Sequence, residues 1–408
     1  MPDRWREVPP TAGLPLYWRD FIGRAASASL EERLAGWLGV PWVRVECSGT
    51  SALVIALTTL ARASTRRKVI IPGYTCPLVA LAVLHCGLVP VVCDVAPSTF
   101  DYCPEELARL CDRETLAVIA THLGGRVADL ETISAVARRE GAFVIEDAAQ
   151  SLGGQWKGRR AGTVGDIGFF SLAAGKGLTL YEGGVLVARD PEVRRELQAT
   201  SERIAPYRLL WEVRRSLELI AYGISYRAGL LPIVYGIALR RALRRGRLVA
   251  AVGDEFSSAI PIHRVGAFRR AVGARAAVRL PAFLDDLSMQ ADARKKTLES
   301  VTGITVIGDP EGSQGTWPFF MVLMPSASTR DRALDRLWRA GLGVTRLFIH
   351  ALPDYQYLSR QLGACEIPNA RDLAARMLTI SNSPWLRERD FERICAQLAG
   401  VLRDSSQH

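Results

Sequence analysis

Five lysines (Lys68, Lys157, Lys176, Lys295 and Lys296) stand against 47 arginines in this chain of 408 residues. Where charge alone is needed, arginine is written. Only a primary amine can form a Schiff base or act as a nitrogen nucleophile, because guanidinium stays protonated. Lys68 follows Arg66-Arg67, Lys157 precedes Gly158-Arg159-Arg160, and Lys295-Lys296 read as a charged helical face. Lys176 is different. It lies in Leu172-Ala173-Ala174-Gly175-Lys176-Gly177, small residues with no carboxylate before Glu182. An amine in such surroundings has its pKa lowered, as attack or proton shuttling requires.

Two further signals accompany it. Ser48-Gly49-Thr50-Ser51 places hydroxyls and a glycine at the start of a helix, where free N–H groups and the helix dipole suit a phosphate. An ordinary N-cap reads the same way. Asp147 follows the apolar run Ala142-Ile145 and Glu146, and precedes Ala148-Ala149. A carboxylate there is costly unless a cation meets it, so it is either a partner for a protonated pyridine nitrogen or a helix cap. Phosphate cup, strand-end aspartate and desolvated lysine are together the three anchors of pyridoxal phosphate.

The elements that must position them alternate. Val69-Ile71, Val89-Cys93, Leu116-Ala120 and Ala142-Ile145 are strand-length apolar runs; Leu53-Arg62, Leu78-Cys86, Glu105-Cys111 and Leu130-Glu140 between them have helical periodicity. Ile167-Phe170 and Val185-Ala188 read as two more strands. Single helices between strands imply right-handed crossovers and a mainly parallel sheet, hence an α/β fold with ligands beyond the carboxyl ends of its strands.

Composition excludes other classes. Hydrophobic residues make up 49% and charged residues 23%, too apolar for a disordered chain. The eight cysteines (47, 76, 86, 93, 103, 111, 365 and 395) form no C-x-x-C pair and have no histidine at zinc spacing, so buried thiols in a reducing cytoplasm are expected and no metal. Met1 to Arg6 carry no apolar run, so no secretory leader is expected. Of the net charge of +10, the segment from Arg203 to Arg247 holds +8, ten arginines against Glu212 and Glu218. A nucleic-acid reader would spread its basic residues over a recognition element, and none is expected here.

The residues quoted, with Val69-Ile70-Ile71-Pro72-Gly73-Tyr74-Thr75, Thr121-His122-Leu123-Gly124, Glu146-Asp147-Ala148-Ala149-Gln150, Phe170-Ser171 and Glu182-Gly183-Gly184, carry a resemblance. The chain resembles the pyridoxal-phosphate sugar aminotransferases of the DegT/DnrJ/StrS group, which have the fold-type I architecture, over about 40–195 and 260–400. The resemblance implies that Lys176 holds the cofactor covalently and moves the proton, that Asp147 pairs with the pyridine nitrogen, and that Gln150 approaches the ring hydroxyl. Gly49, Thr50, Ser51 and Ser171 would bind phosphate. It implies a homodimer that moves an amino group from an amino acid, usually L-glutamate, to a nucleotide-linked keto-sugar for polysaccharide or glycoconjugate synthesis. His122, Arg264, Arg346 and His350 are its substrate-contact candidates, each as readily structural. Relatives with histidine for the lysine are dehydratases, a branch that Lys176 argues against. Other pyridoxal chemistry on a lipid-linked or small keto substrate, or a non-catalytic scaffold, is the alternative; a scaffold would gain nothing from the lysine.

Three positions depart from the family. Cys76 stands where many relatives have an aromatic that stacks on the ring, with Tyr74 as the nearest replacement. Ile262-His263-Arg264-Val265 lacks the asparagine that relatives send to the partner's phosphate. Gly124-Gly125 replaces a tyrosine. The expected organisation is an N-terminal arm and helix (1–40), a large cofactor-binding domain (41–202), a basic apolar insert (203–258) and a small C-terminal domain (259–408). Neither apolar stretch of the insert reaches the ~20 residues that span a bilayer. Two readings stay open: 209–247 docks peripherally on the inner face of an anionic membrane, or it caps the partner subunit.

Overall fold

The computed structural model describes residues 6–23 and 27–406. Helices α1 (Trp18–Ile22) and α2 (Leu30–Leu38) precede β1 (Arg44–Glu46). Then come α3 (Gly49–Arg62), β2 (Lys68–Pro72), α4 (Pro77–His85), β3 (Val89–Cys93), α5 (Pro104–Leu110), β4 (Thr115–Thr121), α6 (Leu130–Glu140) and β5 (Phe143–Asp147). A small hairpin, β6 (Gln155–Trp156) and β7 (Arg159–Arg160), leads into β8 (Ile167–Ser171) and β9 (Gly184–Ala188). The expected alternation is present, and α3 starts four residues before the apolar periodicity does, because Ser48 caps it.

The large sheet has the order β1-β9-β8-β5-β4-β2-β3. Its strands β3, β2, β4, β5 and β8 run parallel; β9 is antiparallel to β8, and β1 to β9. Thr121 lies beside Asp147 and Asp147 beside Phe169, so three strand ends meet at one level. The order places β1 and the α3 that follows it next to the β8–β9 hairpin, whose connection carries Lys176. Leu53, Ile55 and Leu57 of α3 are buried with Ile71, Ile119 and Ile145 of the sheet.

Beyond α7 (Pro191–Ile204) lie α8 (Leu209–Ser225), a π-helical turn Pro232–Gly236, α9 (Ile237–Arg244) and α10 (Leu248–Val252). Helices α11 (Ala267–Ala277) and α12 (Leu280–Glu299) lead to β10 (Thr305–Val306), β11 (Ser313–Gln314), β12 (Phe319–Leu323), α13 (Ala327–Leu337), β13 (Val344–Thr345), α14 (Ser359–Leu362), α15 (Pro368–Arg376), β14 (Met377–Ser381) and α16 (Glu388–Ser406). The second sheet is antiparallel, in the order β10-β12-β14-β13, and β11 pairs with β6.

The segment 203–258 packs on its own chain. Leu219, Tyr222, Tyr226 and Leu231 join the cluster of Leu14, Leu16 and Leu172, while Leu239, Leu243 and Ala251 join that of Phe320 and Leu334. Arg269 of α11, fully buried, donates from Nε and Nη2 to both carboxylate oxygens of Glu212 in α8, at 2.9 and 2.6 Å. Such a two-pronged pair leaves neither charge unmatched. Glu212→Ala strands the guanidinium, and chemical denaturation should show a loss of about 3 kcal/mol or more.

Candidate active site

A cavity of about 450 Å³ opens at the carboxyl ends of β4, β5 and β8. Its wall includes Ser48, Gly49 and Thr50 from the start of α3, Asp147 and Gln150 after β5, and Ser171 and Lys176 after β8. The three chemical signals of the sequence therefore meet in one place.

Each is held by local structure. The Ser48 hydroxyl accepts from the N–H of Ser51, and the Ser51 hydroxyl accepts from that of Ser48, both at 2.9 Å. The Ala52 N–H goes to the Ser48 carbonyl. That leaves the N–H groups of Gly49 and Thr50, which no helical turn can satisfy. A Cβ on Gly49 would stand 3.2 Å from that of Ser171, so glycine lets the helix end approach β8. Cap and anion cradle are both present, on different residues. Ser48 is the cap and Ser51 closes its capping box; Ser51 is buried and does not line the cavity, which corrects its expected place in the phosphate cup.

Asp147 is buried, and burial pushes its carboxyl above the ordinary value against the Ala149 N–H and the charges of His122 and Lys176. Its Oδ1 accepts from Ala149 at 3.1 Å, and Oδ2 makes no hydrogen bond among the described residues. Burial pushes the Lys176 amine below its ordinary value, with Asp147 acting the other way. The loop that bears it is tied to the N-terminal arm and to α8: Thr11 Oγ1 donates to the Gly175 carbonyl at 2.7 Å, and the Gly175 N–H donates to the Tyr222 hydroxyl at 3.1 Å. Gln150 Oε1 accepts from the Gly124 N–H at 2.7 Å, leaving its amide nitrogen to donate.

The residues present fit a phosphorylated pyridine aldehyde. Two free helical N–H groups lie at the cavity wall, one carboxylate oxygen has no hydrogen-bond partner, one amine has its pKa lowered by burial, and Thr75 and Thr121, on the same wall, have buried hydroxyls without a partner among the described residues. Unsatisfied buried polar atoms are uncommon and point to an absent ligand.

Other expected positions fall elsewhere. Tyr74 does not line the cavity and does not replace the missing aromatic. It packs on Phe100 and Phe348, and its hydroxyl donates to the Phe348 carbonyl and accepts from the Phe348 N–H. Cys76 does line the wall, and burial pushes its thiol to about 12, so it stays neutral. His122 borders the cavity, but both ring nitrogens are used: Nδ1 accepts from Ala128 at 3.0 Å and Nε2 meets Glu146 Oε2 at 2.9 Å. It is a fixed support and offers no nitrogen to a substrate. Arg264 lies outside its own chain's cavity, exposed, donating to the carbonyls of Ala205 and Glu202. His350 packs edge-on against Tyr355 and lies outside this cavity and the adjoining one. Arg346 lines that adjoining cavity of about 230 Å³, which shares Gln150 and Phe348. Its Nη2 donates to Ile349 and Ala374 carbonyls, while its buried Nε has no partner among the described residues.

The roof was not foreseen. Val252, Gly253 and Phe256 reach the cavity from 203–258, and nothing in their spacing announces it. Asp254, between them, accepts from the Tyr355 hydroxyl at 2.6 Å and from Ile349 N–H at 2.9 Å, locking that segment to the loop of Phe348. Gly124 and Gly125 adopt φ of 68° and 83°, and a Cβ on Gly125 would come within 2.3 Å of Pro318. The close approach of the second sheet excludes a tyrosine there.

This arrangement, a large mainly parallel sheet with a lysine and an aspartate facing one cavity and a smaller antiparallel sheet beside it, is the fold-type I architecture. Residues 21–203 and 263–399 match the model of the DegT/DnrJ/EryC1/StrS aminotransferase family, and the chain belongs to it. It is 26% identical over 389 residues to the GDP-perosamine synthase of Caulobacter vibrioides, covering 94% of this chain and 92% of that one. It is 35% identical over 164 residues to the L-glutamine:2-deoxy-scyllo-inosose aminotransferase of Streptomyces fradiae, covering 40% of this chain and 38% of that one. In several such shorter matches the chain spans only a third to two fifths of the relative's length. The fold superposes on Spr1654 from Streptococcus pneumoniae, described as a sugar aminotransferase and solved in its PLP form, with a TM-score of 0.74, 18% identity, and coverage of 98% and 99%.

Glu146 anchors the back of the site, accepting from His122 and from the N–H groups of Gly162, Val164 and Gly165. Burial works against its charge, yet the His122 and backbone hydrogen bonds outweigh it and hold the carboxyl below its ordinary value. Its folded pKa being depressed, its contribution is complete above the unfolded value of 4.5 and is lost as pH falls through the folded one. Glu146→Gln should cost roughly 3 kcal/mol at neutral pH. Denaturant titrations at falling pH should show the two proteins converging below 4.5.

Proposed function

We propose that this chain binds pyridoxal 5'-phosphate between Asp147 and Lys176 and transfers an amino group from L-glutamate to a nucleotide-linked keto-sugar. The observation that carries this reading is the meeting of a partnerless Asp147 oxygen and a desolvated Lys176 amine in one cavity whose rim holds the free N–H groups of α3. The names of the GDP-perosamine synthase and of Spr1654 support the sugar and the cofactor. Residues 41–202 are then the cofactor-binding unit and 259–408 the smaller C-terminal unit, with the arm (1–40) and 203–258 closing over them.

When bound, the cofactor supplies the electron sink that lets a carbon bearing nitrogen lose a proton. The protein's own groups do the rest. Asp147 keeps the pyridine nitrogen protonated, and Gln150 donates from its amide to the ring hydroxyl. Gly49, Thr50 and Ser171 hold the phosphate. Lys176 Nζ, its pKa lowered by burial, takes and returns the proton. Phe256 and Val252 keep bulk water from the cavity. Arg346, which lines the adjoining space and whose Nε has no partner among the described residues, receives a carboxylate of the donor. The working form is a homodimer: Arg264, outside its own chain's cavity, is available to the partner's. L-glutamine is the alternative donor, favoured by the Streptomyces fradiae relative's name.

Mixing the cofactor-loaded protein with L-glutamate should discharge the yellow absorbance, and a keto acid should restore it. Discharge by L-glutamine alone would reassign the donor; no change with any amino acid would refute the reading. Lys176→Arg should keep the charge and lower turnover about 10³-fold or more. Asp147→Asn should lower it roughly 10²-fold while cofactor is largely retained.

The neutral amine is the form that attacks an aldehyde. With the Lys176 pKa lowered, the neutral fraction at a given pH is larger. The rate of cofactor incorporation into apoprotein, trapped by borohydride, should rise with pH and level off below 10.5.

A further inference from the structure

Helix α8 is apolar on two sides. At about 100° per residue, Glu212, Leu219, Tyr222 and Gly223 fall on one arc and are buried against the chain. Leu209, Leu210, Val213, Leu217 and Ile224 fall on another arc of about 100° and are exposed, Leu210 by 86% and Ile224 by 62%. The next apolar stretch does the same: Leu231 and Leu239 are buried, whereas Leu230, Ile233, Val234 and Ile237 are exposed, Ile233 by 58%. Exposed apolar residues in this density mark a docking surface.

Charge says what covers it. Of the two acids in Arg203–Arg247, Glu212 is consumed by the buried Arg269 and Glu218 by Arg214 and Arg215. Arg203, Arg208, Arg227, Arg241, Arg244 and Arg245 are exposed and form no ion pair among the described residues. In sequence, the two apolar stretches are thus bracketed by six cations that form no ion pair among the described residues. A two-fold contact between copies would set this surface against itself, like charge against like, which costs specificity and affinity. A layer of anionic headgroups above acyl chains matches both features at once. No described helix is long and apolar enough to cross a bilayer.

We propose that the outer face of α8 and of 230–245 seats this protein on an anionic lipid surface, with the exposed leucines and isoleucines in the interfacial layer and the free arginines on the headgroups. The inner side of the same helix holds the Lys176 loop through Tyr222, so the enzyme would sit with this wall of its site nearest the lipid.

Vesicle flotation of the full chain tests this, independently of any turnover. The protein should float with vesicles carrying about one third phosphatidylglycerol in phosphatidylcholine and remain below with phosphatidylcholine alone. Raising NaCl to about 0.5 M should lower the floated fraction severalfold. Arg241→Gln with Arg245→Gln should weaken partition roughly 25-fold, at about fivefold per arginine. Leu210→Glu with Ile233→Glu should abolish flotation while the thermal melt matches wild type, since both side chains lie outside the core. Failure to float on anionic vesicles, or equal flotation on neutral ones, overturns the proposal. So does conversion of the Leu210→Glu, Ile233→Glu protein from dimer to monomer in sedimentation, which would give this face to a second copy.

Discussion

A carboxylate withdrawn from water must meet a cation, and Asp147 forms no ion pair among the described residues. One oxygen is satisfied by the Ala149 N–H; the other is left over at the end of a central parallel strand. The same burial that raises the Asp147 carboxyl lowers the Lys176 amine. Each perturbed group is costly alone, and the proposed cofactor, with its basic pyridine nitrogen and its aldehyde, would relieve both. The rest of the molecule can be understood as keeping these two groups buried at the wall of one cavity.

That task is shared among distant parts of the chain. The sheet sets Asp147 level with Thr121 and Phe169. Beneath it, the Glu146 carboxylate is satisfied by His122 and by the N–H groups of Gly162, Val164 and Gly165, so the neighbouring residue on the strand is free to act on the cavity. The Lys176 loop has no regular structure of its own and is held from outside by Thr11 and Tyr222. Asp254 ties the roof to the loop of Phe348, and Tyr74 holds that loop from the other side. Tyr74 therefore acts on the site through backbone placement, which is why its position beside Thr75 suggested a contact that the fold does not make.

The segment 203–258 joins two roles that composition could not separate. Its apolar residues are too numerous for one buried face, and its arginines too many for its acids. The structure divides them: one side of α8 completes the core and bears on the site, and the other faces outward, while six arginines elsewhere in 203–245 form no ion pair among the described residues.

Much was readable from sequence alone. Alternating periodicities gave the α/β fold because strand and helix periods are local. Scarcity of lysine isolated Lys176, and an acid after an apolar run isolated Asp147, because burial of charge is legible wherever a strand ends. The rest needed tertiary structure. Whether Ser48 or Ser51 caps α3 turns on hydroxyl geometry. His122 became a support only when Glu146 and Ala128 took both its nitrogens. Phe256 and Val252 joined the site only because a segment about a hundred residues further along folded back over the strand ends. Contacts across such separations leave no period and no motif in a single chain; they are fixed by which surfaces must be covered once the sheet is built.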